Sequence, residues 1–237
     1  MTVTCSYRLR TAIILCGGQG TRFRAISEKT PKILASIGTK KLIDLLVDNL
    51  VKQGLKRVVL ATGHLSEVVE AYISECKDID IFISREERPL GTGGALKKAF
   101  RLIEDENVLV LNGDTVIEVD IKKMSTFHHE LSADFTICLT SQNPDGEYGR
   151  VRLNDDYTIA ELKAQPSQTL QYTNAGVYIV RRGPHLEGPI EHSSLENEDL
   201  PNWINSKKVL AYVIDKPLFD IGTPGRYRNF LNNFNDG

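Results

Sequence analysis

Cysteine is scarce in this sequence. Cys5, Cys16, Cys76 and Cys138 lie far apart and match no metal-ligand spacing. Neither a disulfide framework nor a zinc site is therefore expected, and the thiols read as reduced in a cytoplasmic protein. Membrane-length apolar runs are missing, and no signal-peptide core follows Met1, so no membrane association is expected. An excess of either charge is missing as well: the net charge of −2 argues against a chain built to grip nucleic acid. His64, His128, His129, His185 and His192 form neither a metal spacing nor a catalytic triad, and there is no internal repeat or low-complexity segment. Trp203 is the only tryptophan and reads as a core anchor. What is present is ordinary for a globular protein: 237 residues, 41% hydrophobic and 25% charged, enough to bury a sizeable core in one large or two small domains.

The most informative stretch runs from residue 12 to residue 32. Ala12-Ile13-Ile14-Leu15-Cys16 reads as a short buried strand, followed at once by Gly17-Gly18-Gln19-Gly20-Thr21-Arg22. Glycines so placed let backbone N–H groups converge on phosphate oxygens. Arg22 adds a planar fork of donors, and Lys32, after Pro31, adds a point charge. The P-loop ending Gly-Lys-Ser/Thr is excluded by Thr21-Arg22, and the dinucleotide fingerprint by Phe23. A tight strand-to-loop turn without a ligand is the competing reading.

Strands and helices then alternate. Helical patterns cover Lys41 to Gln53, Ser66 to Cys76 and Ala95 to Ile103; strand patterns cover Arg57 to Ala61, Ile79 to Ile83 and Val108 to Leu111. The alternation predicts an α/β protein with a Rossmann-like, mostly parallel sheet flanked by helices. After about residue 140 shorter strands appear (Gly149 to Leu153, Thr158 to Leu162, Tyr172 to Val180), which predicts a smaller β-rich layer over the first half. A strand over Lys216 to Phe219 and a closing helix over residues 223–234, with Pro224 in its first turn, complete the pattern.

Further groups fall at element ends. Asn112-Gly113-Asp114 follows an apolar strand, and ligands gather at the carboxyl ends of parallel strands. A carboxylate beside phosphates calls for a divalent cation, so Asp114 is a candidate Mg2+ ligand; a simple turn with Asp114 as a cap is the alternative. Asp220, in Asp220-Ile221-Gly222-Thr223-Pro224, is either a second ligand or a partner of the last helix. Leu90-Gly91-Thr92-Gly93-Gly94-Ala95 reads as a second glycine loop whose backbone can lie against a nucleobase, with Glu86 or Glu87 orienting base or ribose; a simple loop and helix start, with both acids solvated, is the competing view. Gly149 and Gly176 allow close approach of a ligand, and Asn174 can bond a sugar hydroxyl; hairpin punctuation is the plainer account of both.

Taken in order, Gly17-Gly18-Gln19-Gly20-Thr21-Arg22 with Pro31-Lys32, Gly91-Thr92-Gly93-Gly94, Asn112-Gly113-Asp114, Tyr148-Gly149-Arg150, Asn174-Ala175-Gly176 and Asp220-Ile221-Gly222-Thr223-Pro224 resemble the sugar-1-phosphate nucleotidyltransferases. The likeness runs from about residue 11 to the C-terminus. It is nearest to the D-glycero-D-manno-heptose 1-phosphate guanylyltransferases and the related mannose-1-phosphate guanylyltransferases. The resemblance implies one nucleotidyltransferase domain over 1–237, with a nucleotide-binding half over about 11–140 and a sugar-phosphate-binding half with the closing helix over about 141–237. The C-terminal β-helix of longer relatives is not expected. Leu15, Gly17, Gly18, Gln19, Gly20, Thr21, Arg22, Glu87, Gly91, Thr92, Gly93, Asn112 and Gly113 would hold the nucleotide. Arg22, Lys32 and Asp114 would act in catalysis, and Asp114 and Asp220 would hold Mg2+. Gly149, Arg150, Lys163, Asn174 and Glu196 would line the sugar phosphate. Two departures stand out: Ile33 follows Lys32 where the family has proline, and Ala164-Gln165-Pro166 stands where the family has Glu-Lys-Pro, leaving Lys163 and Arg150 as nearby cations.

The implied reaction joins a nucleoside triphosphate, here GTP, to a heptose or mannose 1-phosphate, giving a nucleotide sugar for cell-surface glycans, and pyrophosphate. The attacking phosphate oxygen is already ionised near neutral pH, its second pKa being about 6, so no general base is required. A cytidylyl-, uridylyl- or thymidylyltransferase acting on another phosphate, and a nucleotide-sugar-binding regulatory subunit without catalysis, are the alternatives. A glycosyltransferase would show Asp-x-Asp where this chain has Asn-Gly-Asp. The partners are small molecules, with a homo-oligomer as a further expectation.

Overall fold

The computed structural model describes residues 7–18, 30–73, 79–142, 150–163 and 172–233. In chain order its elements are β1 (Thr11–Leu15), β2 (Ser36–Ile37), β3 (Lys40–Lys41), α1 (Leu42–Lys52), β4 (Arg57–Thr62), α2 (Ser66–Ile73), β5 (Asp80–Arg85), α3 (Gly91–Phe100), β6 (Asn107–Asn112), β7 (Thr115–Val116), α4 (Ile121–Glu130), β8 (Phe135–Thr140), β9 (Arg150–Leu153), β10 (Ile159–Leu162), β11 (Tyr172–Arg181), α5 (Pro184–Glu187), α6 (Leu200–Ile204), β12 (Val209–Ile214), β13 (Phe219–Asp220) and α7 (Pro224–Asn233). A short 3-10 turn spans Lys32–Leu34, and a π-helical turn spans Leu195–Asp199.

The parallel half follows from its apolar patterning. All five residues of β1 are buried. Ala12 and Ile14 face one side of the sheet, Ile13 and Leu15 the other, and each side has its own apolar cluster. Leu42, Ile43, Leu46, Val47 and Leu50 of α1 cover the first side, together with α2, α4 and α7. Ala95, Leu96, Ala99 and Phe100 of α3 cover the second, with Leu186, Leu200 and Trp203. Trp203 packs at 5.4 Å on Phe135, the core anchor expected of it.

Strands β5, β4, β1 and β6 lie side by side and all parallel. The chain builds from β1 outward to β5, then α3 carries it back to the other side of β1. The order therefore reverses between β1 and β6, which opens a crevice at their carboxyl ends.

The second half is β-rich as expected, and its strands join the sheet of the first half: β11 pairs antiparallel with β6 on one hand and with β8 and β9 on the other, β10 joins β9, and β12 joins β8 in parallel. An exposed edge of β6 would leave ladder donors and acceptors unpaired, and β11 satisfies them. The strand expected over Lys216 to Phe219 is only Phe219–Asp220, because Pro217 has no N–H to give a ladder. The closing helix begins at Pro224, where Thr223 Oγ1 accepts from Arg226 N at 3.3 Å.

Candidate active site

The crevice at the strand reversal is a cavity of about 350 Å3. One wall is the end of β1 with Cys16, Gly17 and Gly18; the other is Asn112, Gly113 and Asp114 after β6. Backbone bonds stitch the walls to the sheet: Gly113 N donates to Leu15 O at 2.9 Å and Cys16 N to Ala61 O at 3.0 Å. Lys32 reaches in from its 3-10 turn, and its Nζ lies 2.8 Å from Asp114 Oδ2. Partly solvated pairs of this kind add little stability, so the pair matters for what it brings into one cavity: a cation and a carboxylate. Leu15, Gly17, Gly18, Gly91, Thr92, Asn112 and Gly113 all line this cavity. Gln19, Gly20, Thr21 and Arg22 lie outside the described residues.

Two expectations about the cavity roof need correction. The second glycine loop is the first turn of α3, and its glycines answer to another segment of chain. A β-carbon on Gly93 would come within 1.8 Å of Asp199 Oδ2, and on Gly91 within 2.3 Å of Ser193 O. Gly93 is therefore a packing residue and does not line the cavity. Glu87 is exposed and is not among the lining residues, whereas its neighbour Glu86 is. Glu86 Oε2 accepts from Leu90 N at 2.8 Å, and its carboxyl titrates above the usual range because burial disfavours the charge. Cys16 also lines the cavity, but burial pushes its thiol up to about 12, so it stays protonated and is no nucleophile. His192, an exposed residue, is another lining residue.

A second cavity, of about 290 Å3, opens on the other side of Asn112 and Asp114, both of which line it too. Its far wall comes from β11. Gly176 has φ +67 and marks a bulge at which the register against β8 shifts between Asn174 and Tyr178. There Asn174 Oδ1 accepts from Gly176 N, and its Nδ2 donates to the Tyr178 hydroxyl at 2.9 Å. Tyr178 in turn donates to Glu196 Oε1 at 3.1 Å, and Glu196 Oε2 accepts from Thr92 at 3.0 Å. Burial and then the nearby Glu196 charge raise Tyr178 well above the ordinary tyrosine range, so it remains a donor. Asn112 Oδ1 is buried without a partner among the described residues, an acceptor left for a ligand.

Lys163 lines this second cavity and makes no hydrogen bond or ion pair among the described residues. Strict alternation along β10 would aim it away, but the strand has ended and Lys163 adopts a left-handed φ of +57. Arg150 sits in β9 opposite Thr173 and is not a lining residue. Gly149 and the Ala164-Gln165-Pro166 segment lie outside the described residues.

Asp220 completes the second cavity. Strand β13 pairs with β7, Asp220 opposite Thr115, and Ile221 N donates to Asp114 O at 3.0 Å, which sets the two aspartates on adjacent strands. Asp220 Oδ1 accepts from Gly222 N at 2.7 Å, and Oδ2 from Arg226 Nη1 at 2.8 Å. It is thus tied to the last helix while facing the cavity. Two hard carboxylates suit a divalent cation that fills its remaining positions with water and phosphate oxygens. No group of three or more His, Cys, Asp or Glu among the described residues could hold a metal unaided.

Two cavities that share a strand-end aspartate, one entered by a lysine and built on glycine-backed strand ends, define an enzyme that moves groups between phosphates. The chain belongs to the nucleotidyl transferase family, which matches residues 11–236. It is 38% identical over 219 residues to the D-glycero-alpha-D-manno-heptose 1-phosphate guanylyltransferase of Aneurinibacillus thermoaerophilus, covering 92% of this chain and 95% of that one. The Campylobacter jejuni enzyme of the same name is 31% identical, covering 94% and 99%. HddC from Yersinia pseudotuberculosis has the same fold, with a TM-score of 0.84, 27% identity and coverage of 96% of this chain and 100% of that one; its complex with GMP-PN scores 0.83. Enzymes of this family generally work with a divalent metal ion. No helix among the described residues is long and apolar enough to cross a membrane.

Proposed function

We propose that this nucleotidyltransferase transfers guanylate from GTP to a sugar 1-phosphate of the heptose or mannose type, releasing pyrophosphate. The observation that carries the reading is the pair of cavities with Asn112 and Asp114 in both, Lys32 reaching Asp114 at the junction. The first cavity takes the nucleotide and the second the acceptor, so that the α-phosphorus lies at the shared wall. An acceptor phosphate oxygen forms the new P–O bond there, and the bond to the β-phosphate bridging oxygen breaks in line. Lys32 exchanges Asp114 for the α-phosphate, and Arg22 supplies the second cation. Asp114 and Asp220 would hold Mg2+, which would supply neutralisation of phosphate charge. No side chain need remove a proton, so catalysis rests on alignment and charge.

Guanine is supported by Glu86. A carboxylate in the roof offers two acceptors, the complement of the N1–H and N2–H2 donors on guanine's edge, whereas adenine presents an acceptor at N1. The similarity to guanylyltransferases points the same way. In the second cavity Lys163 meets the acceptor phosphate, while Asn174, Glu196 and the unpartnered Asn112 Oδ1 meet hydroxyls. The test is pyrophosphate release with GTP, ATP, CTP and UTP, each against D-glycero-α-D-manno-heptose 1-phosphate and mannose 1-phosphate. Activity confined to GTP and one of these acceptors is expected. Turnover with a pyrimidine nucleotide alone would overturn the guanine assignment.

A further inference from the structure

The segment Glu191–Asp199 crosses the first turn of α3 and touches both cavities, His192 lining the first and Glu196 the second. It is seated by a reciprocal backbone pair, Gly93 N to Ser193 O at 2.8 Å and Ser193 N to Leu90 O at 2.9 Å. A part-buried ion pair locks it further: Lys97 Nζ lies 2.9 Å from Asp199 Oδ1, and Ser193 Oγ donates to Asp199 Oδ2 at 2.8 Å. This explains why three glycines fall so close together, since side chains on Gly91, Gly93 or Gly94 would collide with the crossing segment.

Thr92 is the one residue of that turn whose side chain binds the crossing segment. Its hydroxyl accepts from Leu195 N at 2.8 Å and donates to Glu196 Oε2 at 3.0 Å. A hydroxyl has a single proton, and here Glu196 receives it, so Thr92 has no donor left for a phosphate or a ribose in the cavity it lines. The other carboxylate oxygen of Glu196 takes the Tyr178 hydroxyl. Asn112 Nδ2 donates to that same oxygen at 3.5 Å, so the carboxylate is clamped from both sides where it lines the second cavity.

We propose that Thr92, though it stands in the wall of the nucleotide cavity, is a positioning residue for the acceptor: its hydroxyl holds the Glu196 carboxylate in the orientation that receives the sugar. This rests on the second cavity being the acceptor site. Steady-state kinetics with GTP and D-glycero-α-D-manno-heptose 1-phosphate test it in Thr92→Val and Thr92→Ser. Thr92→Val keeps the shape and removes the hydroxyl. It is expected to raise KM for the heptose phosphate about tenfold, the range of a lost hydrogen bond to a charged group, while KM for GTP stays within about twofold. Thr92→Ser, which keeps the hydroxyl, is expected to restore acceptor KM. The proposal is overturned if both KM values rise together, if neither moves, or if serine fails to restore the acceptor. A wild-type protein without turnover would instead sink the proposed function. Thr92 is then judged by calorimetric titration with the heptose phosphate, where the valine variant must still bind about tenfold more weakly than wild type, and absence of binding by the wild type would overturn both.

Discussion

The two cavities that meet at Asp114 are built by different means. The nucleotide cavity is made mostly of backbone: two strand ends and the loops that follow, fixed by main-chain bonds such as Gly113 N to Leu15 O. The acceptor cavity is made of side chains, a chain of contacts from Thr92 through Glu196 and Tyr178 to Asn174, set on a bulge and a π-helical turn. Its key bond joins residues 104 positions apart. A backbone cradle follows from strand order and suits the phosphates that every nucleoside triphosphate shares. A side-chain lattice can be altered one residue at a time, and acceptor specificity belongs there.

The severest test of that contrast is the residue both cavities share. Asp114→Ala should lower turnover about 10³-fold, the scale of removing one preorganised charge group from a reacting centre. The melting temperature should hold, because Asp114 is only partly buried and its ion pair adds little. A rate within about tenfold of wild type, measured by pyrophosphate release, would mean that the cavities do not share a reacting centre.

The opposite end of the sheet shows what a stabilising end looks like. His128 of α4 is 2% exposed and bonds Thr136 of β8 at 2.8 Å and Asn107 of β6 at 3.0 Å. Burial, followed by the Arg181 charge, lowers its pKa from 6.5 to about 4. Above pH 6.5 the imidazole is neutral folded and unfolded, and the stability is complete. As pH falls below 6.5 the unfolded chain takes a proton that the folded chain refuses, so stability declines until about pH 4, by about 3 kcal/mol for this group. Urea midpoints between pH 7 and pH 4.5 should fall with a slope that His128→Gln flattens. An unchanged slope would remove His128 from the account.

How much of this could be read in the residues divides along the same line. β1, β4 and β6 are apolar runs ending in glycine or Asn-Gly-Asp, and a parallel sheet turns local motifs at strand ends into one crevice, so Gly17, Lys32 and Asp114 could be grouped from sequence. The first turn of α3 misled, because closely spaced glycines look alike whether they approach a ligand or another chain segment; only the contact with Asp199 separates the two. Glu86 and Glu87 are adjacent acids, and which one turns inward is set by the capture of Leu90 N, a tertiary detail. Tyr178 carried no signal, since an inward tyrosine in a buried strand reads as core. Helix α4 was passed over because Ile121–Glu130 is mostly polar, although Asp120, accepting from Lys123 N at 2.9 Å, was a legible start. Strands β8 and β12 were also missed, and with them the continuity of the sheet.

Lys163 tests whether the side-chain cavity has rebuilt a phosphate contact. The cation the family carries as the second residue of Glu-Lys-Pro would be replaced by one held in a left-handed turn. Lys163→Met should raise acceptor KM about 10- to 50-fold, the loss of a charged hydrogen bond, with GTP KM unchanged. Equal acceptor KM in wild type and variant would return the role to a residue outside the second cavity.

The smallest effect expected concerns Glu86, the acidic side chain in the roof of the backbone cavity. If Glu86 reads guanine through its two oxygens, Glu86→Gln replaces one acceptor by an amide donor that faces a donor on the base. The wild type should then prefer GTP over ITP, which lacks the 2-amino group, by about tenfold in kcat/KM, and the glutamine variant should lose most of that preference. The variant should affect discrimination more than turnover, because Glu86 lies in the roof with Leu90 and away from Lys32 and Asp114 at the shared wall. Should the ratio of GTP to ITP stay the same in the variant, the base is read by backbone groups around Gly91, and the nucleotide cavity would then be a main-chain site in specificity as well as in shape.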